Sequence, residues 1–138
     1  MTAALRGGCA CGAVRYECDV APLFVAHCHC KDCQQASGGQ MATVAGVPAK
    51  AFHVLHGTTS NYHYLGGSGK GLVRHFCPTC GSRLFTTDAG AVPDLNFISV
   101  GSLDDPSSVH PNMHIFTDSA PAWTTYTDGL PRYPRGRQ

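Results

Sequence analysis

Residues 75–85 read HFCPTCGSRLF and place two cysteines and a glycine between two short runs of strand-forming residues. Two cysteines separated by two residues supply two thiolates from one small loop, which is half the ligand set of a closed zinc site. Gly81 directly follows the second cysteine, Cys80, and glycine can take the positive φ that turns backbone N–H groups toward thiolates. The segment therefore predicts a metal-binding knuckle between two strands.

A second segment of the same kind lies near the N-terminus. Residues 7–12 read GGCACG, and Gly12 again follows the last cysteine. Two small-loop cysteine pairs that are far apart in sequence are the usual zinc-ribbon arrangement. The two pairs predict one closed, structural zinc site, which would tie the N-terminus to the middle of the chain. Its ligands would be Cys9, Cys11, Cys77 and Cys80.

The third cluster, in HCHCKDCQQASGG (residues 27–39), has a different surrounding sequence. Its last cysteine is followed by residues that favour a helix, and we predict a short helix over Lys31–Ser37 that is ended by Gly38 and Gly39. Cys30 and Cys33 would lie where the helix begins, and the helix dipole there favours thiolates. With Cys28 they supply three ligands, so we favour a catalytic zinc with an open position. A fourth ligand would close the site, and the candidates are Cys18, His27, His29, His75 and His114.

The ligand type indicates the chemistry. Three thiolates make zinc a weak Lewis acid, so binding a soft fourth donor is more natural than activating water. An incoming thiol suits such a site, because zinc lowers its pKa and presents a thiolate at neutral pH. We therefore predict a zinc-dependent carbon–sulfur lyase that acts on a small thiol adduct. The alternative is a non-catalytic, zinc-stabilised protein-binding module, in which both metal sites are closed.

Composition limits the class of protein. The chain has 138 residues, of which 43% are hydrophobic and 14% are charged, and its net charge is +1. One domain of this size can bury a core, and the near-neutral charge predicts neither a nucleic-acid nor a membrane partner. Seven of the eight cysteines lie in tight clusters, which favours metal over disulfides in a reducing compartment. The first residues lack the apolar segment of a signal peptide, so we expect a cytoplasmic protein.

Short runs of β-branched and aromatic residues between turn residues predict a mainly β fold. The predicted strands are Val14–Cys18, Leu23–Cys28, Met41–Val47, Phe52–His56, Asn61–Leu65, Leu72–Phe76, Ser82–Thr86, Leu95–Val100 and Asn112–Phe116. We expect a single zinc-binding domain over residues 5–130. Residues 131–138, rich in proline and arginine, are predicted to form a flexible C-terminal tail.

The ordered set of motifs resembles the glutathione-dependent formaldehyde-activating enzyme family, which includes the centromere protein V group. The resemblance runs through GGCACGAVRYEC, HCHCKDCQQASGG, RHFCPTCGSRLF and PNMHIFTDSAPAW. It implies a fold of two facing antiparallel sheets with a ribbon-like structural zinc at the first and last cysteine pairs. It also implies a catalytic zinc at Cys28, Cys30 and Cys33, and so two Zn²⁺ per chain. The implied reaction joins a small thiol such as glutathione to a small aldehyde such as formaldehyde, giving S-hydroxymethylglutathione.

Other residues of this sequence have open alternatives. His29 is either a proton donor to a hemithioacetal oxygen or an exposed residue whose backbone matters more than its side chain. His114 either lines the pocket or satisfies a buried hydrogen bond. Lys31, Arg74 and Arg83 could contact the carboxylates of glutathione, although scattered cations usually belong to a solvated face.

Overall fold

Ten β-strands and one short α-helix form the part of the chain that the computed structural model describes, residues 3–65 and 69–136. A three-stranded antiparallel sheet contains, in spatial order, β1 (Leu5–Gly8), β2 (Arg15–Cys18) and β5 (Phe52–His56). The helix, α1 (Lys31–Ser37), ends at Gly38, whose φ of 75° is left-handed. The predicted helix and its terminating glycine are therefore confirmed.

The larger sheet has seven strands. In spatial order they are β10 (Met113–Ile115), β3 (Phe24–Cys28), β4 (Ala42–Pro48), β9 (Leu95–Ser99), β8 (Arg83–Thr87), β7 (Leu72–Phe76) and β6 (Ser60–Tyr64). All nine predicted strands are present, and each end agrees with the structure to within one residue. The mainly β fold with two sheets and one helix is confirmed.

Strand β1 was not among the predicted strands. Its sequence, LRGG, has two glycines, which disfavour a strand on propensity alone. The structure explains Gly7, because a Cβ atom there would lie 2.4 Å from the hydroxyl oxygen of Tyr16, its partner in β2. Close approach to a large side chain thus requires glycine inside this strand.

One pairing departs from the expected antiparallel arrangement: β10 runs parallel to β3. Strands β3 and β9 both pair antiparallel with β4, so they run in the same direction. The connection over residues 100–112 then returns the chain to the far edge of β3, and β10 keeps the direction of β9. A crossover connection of this kind produces parallel neighbours.

The two sheets face each other across one core. Tyr16 of the small sheet is 1% exposed, and its ring contacts that of Phe85 in the large sheet at a centroid distance of 6.1 Å. Leu84 and Ile98 of the large sheet are fully buried in the same cluster. None of the described helices is long and apolar enough to cross a membrane.

The C-terminal segment, which is predicted to be a flexible tail, makes backbone hydrogen bonds to the sheet. The amide of His114 donates to the carbonyl of Pro131, and the carbonyl of His114 accepts from the amide of Tyr133. Further along, the amide of Phe116 donates to the carbonyl of Arg135. The edge strand β10 offers unpaired backbone groups, and this segment satisfies them although its side chains are not strand-forming. Residues 137 and 138 lie outside the described residues, and the domain boundary at residue 130 stays a prediction.

Candidate metal centres

The first and last cysteine pairs converge into one cluster. Cys9, Cys11, Cys77 and Cys80 bring their sulfurs within 4.8 Å of one another. The Sγ atoms of Cys9 and Cys11 lie 3.6 Å apart, and those of Cys11 and Cys77 lie 3.7 Å apart. Sulfurs placed tetrahedrally about 2.3 Å from a zinc ion would be about 3.8 Å apart. The four thiols therefore have the number, type and spacing of a closed tetrahedral site.

Backbone donors surround these sulfurs as the two knuckles predict. The amide of Val14 donates to Cys9 Sγ at 3.2 Å, and the amide of Thr79 donates to Cys77 Sγ at 3.4 Å. These bends depend on left-handed glycines, since φ is 81° at Gly12 and 78° at Gly81. N–H groups aimed at sulfur favour the thiolate form that a metal needs.

Replacing Gly81 with alanine is expected to lower the free energy of unfolding by about 1–2 kcal/mol, because an L-residue with positive φ is strained. A Cβ atom at Gly81 would meet no neighbour within 4 Å, so the cost is conformational rather than steric. Urea unfolding of the zinc-loaded protein measures it. Gly101→Ala is the matched control, since its added Cβ is also free of contacts and its φ is outside the left-handed range. Equal stability of the two variants would contradict this account of the knuckle.

The middle triplet forms a second cluster where β3 leads into α1. The sulfurs of Cys28, Cys30 and Cys33 lie within 4.8 Å of one another, and those of Cys28 and Cys30 are 3.5 Å apart. Cys30 caps the helix, because its Sγ accepts the amide of Cys33 at 3.3 Å. Hydrogen bonds from Cys28 and Cys33 lower the pKa of Cys30 to about 2. The lowered pKa favours the thiolate form of Cys30, so the cluster is suited to a soft cation.

Within residues 3–65 and 69–136, no fourth histidine, cysteine or carboxylate joins this triplet. Three of the proposed closing ligands make other contacts. The Cys18 thiol donates to the carbonyl of Val20, and His27 Nδ1 lies 2.7 Å from the Thr43 hydroxyl. Both ring nitrogens of His75 are within 2.8 Å of threonine hydroxyls, at Thr59 and Thr87. The described part of the chain therefore leaves the triplet open.

The other two candidates, His29 and His114, bond to each other. His29 Nε2 lies 2.9 Å from His114 Nδ1, and His114 Nε2 lies 2.8 Å from a carboxylate oxygen of Asp128. Both histidines are buried, at 1% and 4% exposure, and burial, followed by the charge of His114, lowers the pKa of His29. A carboxylate only accepts, so His114 donates from Nε2 and, when neutral, accepts from His29 at Nδ1.

This network bears on two of the open alternatives. His114 satisfies buried hydrogen bonds and is not among the residues that line the cavity near Cys33. His29 is buried rather than exposed, and its role as a proton donor stays a prediction. His29 Nδ1 is buried without a hydrogen-bond partner among the described residues. The amide of His29 also donates to the carbonyl of Ile115 at 3.0 Å, so the segment between Cys28 and Cys30 is fixed through both its ring and its backbone. No sequence motif pointed to Asp128, which lies 14 residues after His114.

A cavity of about 820 Å³ has one cysteine of each cluster in its wall. Cys33, Ala36 and Ser37 of the helix region line one part of it, and Cys9 lines another. Both Cys30 and Cys33 are partly exposed, whereas Cys28 is buried. The open triplet is therefore accessible from a cavity large enough for a small-molecule ligand.

Two facing sheets with a four-cysteine and a three-cysteine cluster define a cysteine-rich β protein in which both clusters could hold a metal ion. The chain belongs to the glutathione-dependent formaldehyde-activating enzyme family, whose family model matches residues 4–119. The resemblance seen in its motifs is thereby confirmed.

Two individual proteins illustrate the relationship. A protein of Halomonas elongata named "Putative glutathione-dependent formaldehyde-activating enzyme" is 29% identical over 124 residues, covering 86% of this chain and 78% of that protein. A crystal structure of a Rhodobacter sphaeroides protein matches with a TM-score of 0.62 at 21% identity. That match covers 94% of this chain and 99% of the other, and it supports the fold.

Proposed function

We propose that this protein is a zinc-dependent carbon–sulfur lyase that acts on the adduct of a small thiol and a small aldehyde. The observation that carries the proposal is the three-cysteine cluster, which has no fourth protein ligand among the described residues and has Cys33 on the wall of the large cavity. The family assignment supports glutathione as the thiol and formaldehyde as the aldehyde.

The cysteines fit two zinc ions per chain. Cys9, Cys11, Cys77 and Cys80 would hold a structural ion, and Cys28, Cys30 and Cys33 would hold a catalytic one. Zinc held by three thiolates would supply an open position for a fourth sulfur and would lower the pKa of a thiol there. The sulfur spacing of 3.5–3.7 Å in both clusters supports zinc as the metal.

The chain itself would position the reactants. The β3 pairings and the His29–His114–Asp128 network would hold the triplet in place, and the cavity beside Cys33 would receive the thiol and the aldehyde. In the forward direction one carbon–sulfur bond forms, and the thiol proton is transferred to the carbonyl oxygen. The reverse reaction breaks that bond and returns the proton to sulfur. Neither direction requires an oxidant or reductant.

Exchange spectroscopy by NMR with ¹³C-formaldehyde and glutathione tests the proposal. The zinc-loaded protein should accelerate exchange between free formaldehyde and S-hydroxymethylglutathione above the uncatalysed rate. Protein stripped of the more accessible zinc by a chelator should lose the acceleration, and added Zn²⁺ should restore it. Exchange no faster than the uncatalysed rate with fully loaded protein would refute the lyase and favour the protein-binding module.

The cellular setting belongs to the same proposal. Free thiols in two metal-binding clusters suit a reducing compartment, so we place the protein in the cytoplasm. Its partners would be small molecules, and the net charge of +1 supports neither nucleic acid nor a membrane surface as a ligand.

A further inference from the structure

Three arginines line the large cavity, and they differ in their partners. Arg15 forms a bidentate ion pair with Asp104, in which Arg15 Nη1 lies 2.8 Å from Asp104 Oδ1. The carboxylate therefore neutralises the charge of Arg15. Arg74 and Arg83 form no ion pair with any carboxylate in the described part of the chain. Both are partly buried. The cavity wall therefore carries two positive charges that no carboxylate of residues 3–65 and 69–136 pairs with.

The two unpaired guanidinium groups belong to neighbouring strands. Arg74 is on β7 and Arg83 on β8, and the two strands pair antiparallel. Burial, followed by the charge of Arg74, lowers the pKa of Arg83. Neighbouring like charges that are partly removed from water cost free energy, and an anion between them lowers that cost. Arginine is the residue whose donor geometry matches a carboxylate with two parallel hydrogen bonds.

A chain of contacts keeps Arg74 near the three-cysteine cluster. Its guanidinium lies over the ring of Tyr64, 5.6 Å from the centroid. The hydroxyl of Tyr64 donates to the carboxylate of Asp32, which is in the first turn of α1 next to Cys33. Arg74, Arg83 and Cys33 also line the same cavity. A ligand in this cavity could therefore have Cys33 and both arginines in the wall around it.

We infer that Arg74 and Arg83 bind a carboxylate of the thiol substrate and so select carboxylate-bearing thiols over neutral ones. This inference rests on the proposed function, because it assigns the class of thiol that the three-cysteine site takes. A peptide thiol such as glutathione has the required carboxylates. The role of the two arginines is recognition: they hold the ligand's acidic end while its sulfur points toward the triplet.

Calorimetric titration with a thiol-blocked ligand tests the inference without involving the reaction. S-methylglutathione keeps both carboxylates, and its diethyl ester keeps neither. We expect Arg83→Met and Arg74→Met each to weaken binding of S-methylglutathione about tenfold or more, because each loses charge-assisted hydrogen bonds. The diethyl ester should bind more weakly than the acid, and equally to wild type and to both variants.

Arg6→Met is the matched control, since Arg6 is an exposed arginine on β1 that does not line the cavity. The zinc content and the thermal midpoint of every variant verify that it is folded. Because there are two arginine variants, the inference can still be tested if one of them misfolds. The inference is overturned if S-methylglutathione does not bind wild type, binds all variants equally, or binds no better than its ester.

The two proposals fail in different ways. If the lyase is wrong and the arginine site right, S-methylglutathione binding still depends on Arg83 although no formaldehyde exchange occurs. If the lyase is right and the arginine site wrong, exchange occurs while Arg83→Met leaves both the KM for glutathione and the binding of S-methylglutathione unchanged.

Discussion

Replacing Cys77 with serine is expected to lower the free energy of unfolding by about 4 kcal/mol or more and to remove one zinc per chain. Cys77 is fully buried, and its sulfur approaches that of Cys11, 66 positions earlier in the sequence. Loss of a structural metal is among the few causes of so large an effect, since binding energy at such a site is folding energy. Urea unfolding followed by circular dichroism measures the change.

Cys18→Ser is the matched control for Cys77→Ser. Cys18 is also fully buried, but it belongs to neither cluster, and its thiol donates to the carbonyl of Val20 as a serine hydroxyl could. We expect this control to retain two zinc ions and most of its stability. If Cys77→Ser were no less stable than Cys18→Ser, the four-cysteine cluster would not be a structural site.

The second large effect concerns Cys30, whose replacement by serine should reduce formaldehyde–glutathione exchange by at least about 100-fold. Changes around a metal site commonly cost 10–100-fold, and loss of a ligand should cost at least as much. The fold should tolerate this change, because serine is a favoured N-cap and can still accept the amide of Cys33. Strand β3 also keeps its pairing with β4 and β10.

Exchange rate and unfolding free energy must therefore be measured on the same Cys30→Ser sample. A stable but inactive protein supports the division of the cysteines into a structural four and a catalytic three. A variant as unstable as Cys77→Ser, or one with wild-type exchange, would remove the basis for that division.

Local sequence patterns were sufficient to predict most of the strands and the helix of the fold. Short apolar runs end at glycines and prolines, so strand limits such as Phe52–His56 and Leu72–Phe76 could be predicted without error. The pattern failed at β1, where packing against Tyr16 requires Gly7 despite its low strand propensity. It also could not give the direction of β10, since three residues carry no information on what they pair with.

The candidate sites also contain features that the sequence predicts and features that it does not. Cysteine spacing predicted both clusters because small loops fix the distances between their own thiols. The hydrogen bonds that join His29 to His114 and His114 to Asp128 link residues up to 85 positions apart, and only the folded chain shows them. Arg74 and Arg83 looked like ordinary surface cations in sequence. Their placement on adjacent strands of one cavity wall, with Arg15 neutralised beside them, is a tertiary feature.

The most direct test of the open three-cysteine site is the zinc content and coordination of protein purified without thiol reductant. Elemental analysis should give two zinc ions per chain. Zinc X-ray absorption should show an average of fewer than four sulfurs per zinc with a light-atom ligand, rising to four when a small thiol is added. One zinc per chain, or four sulfurs at both sites with no response to thiol, would contradict the account.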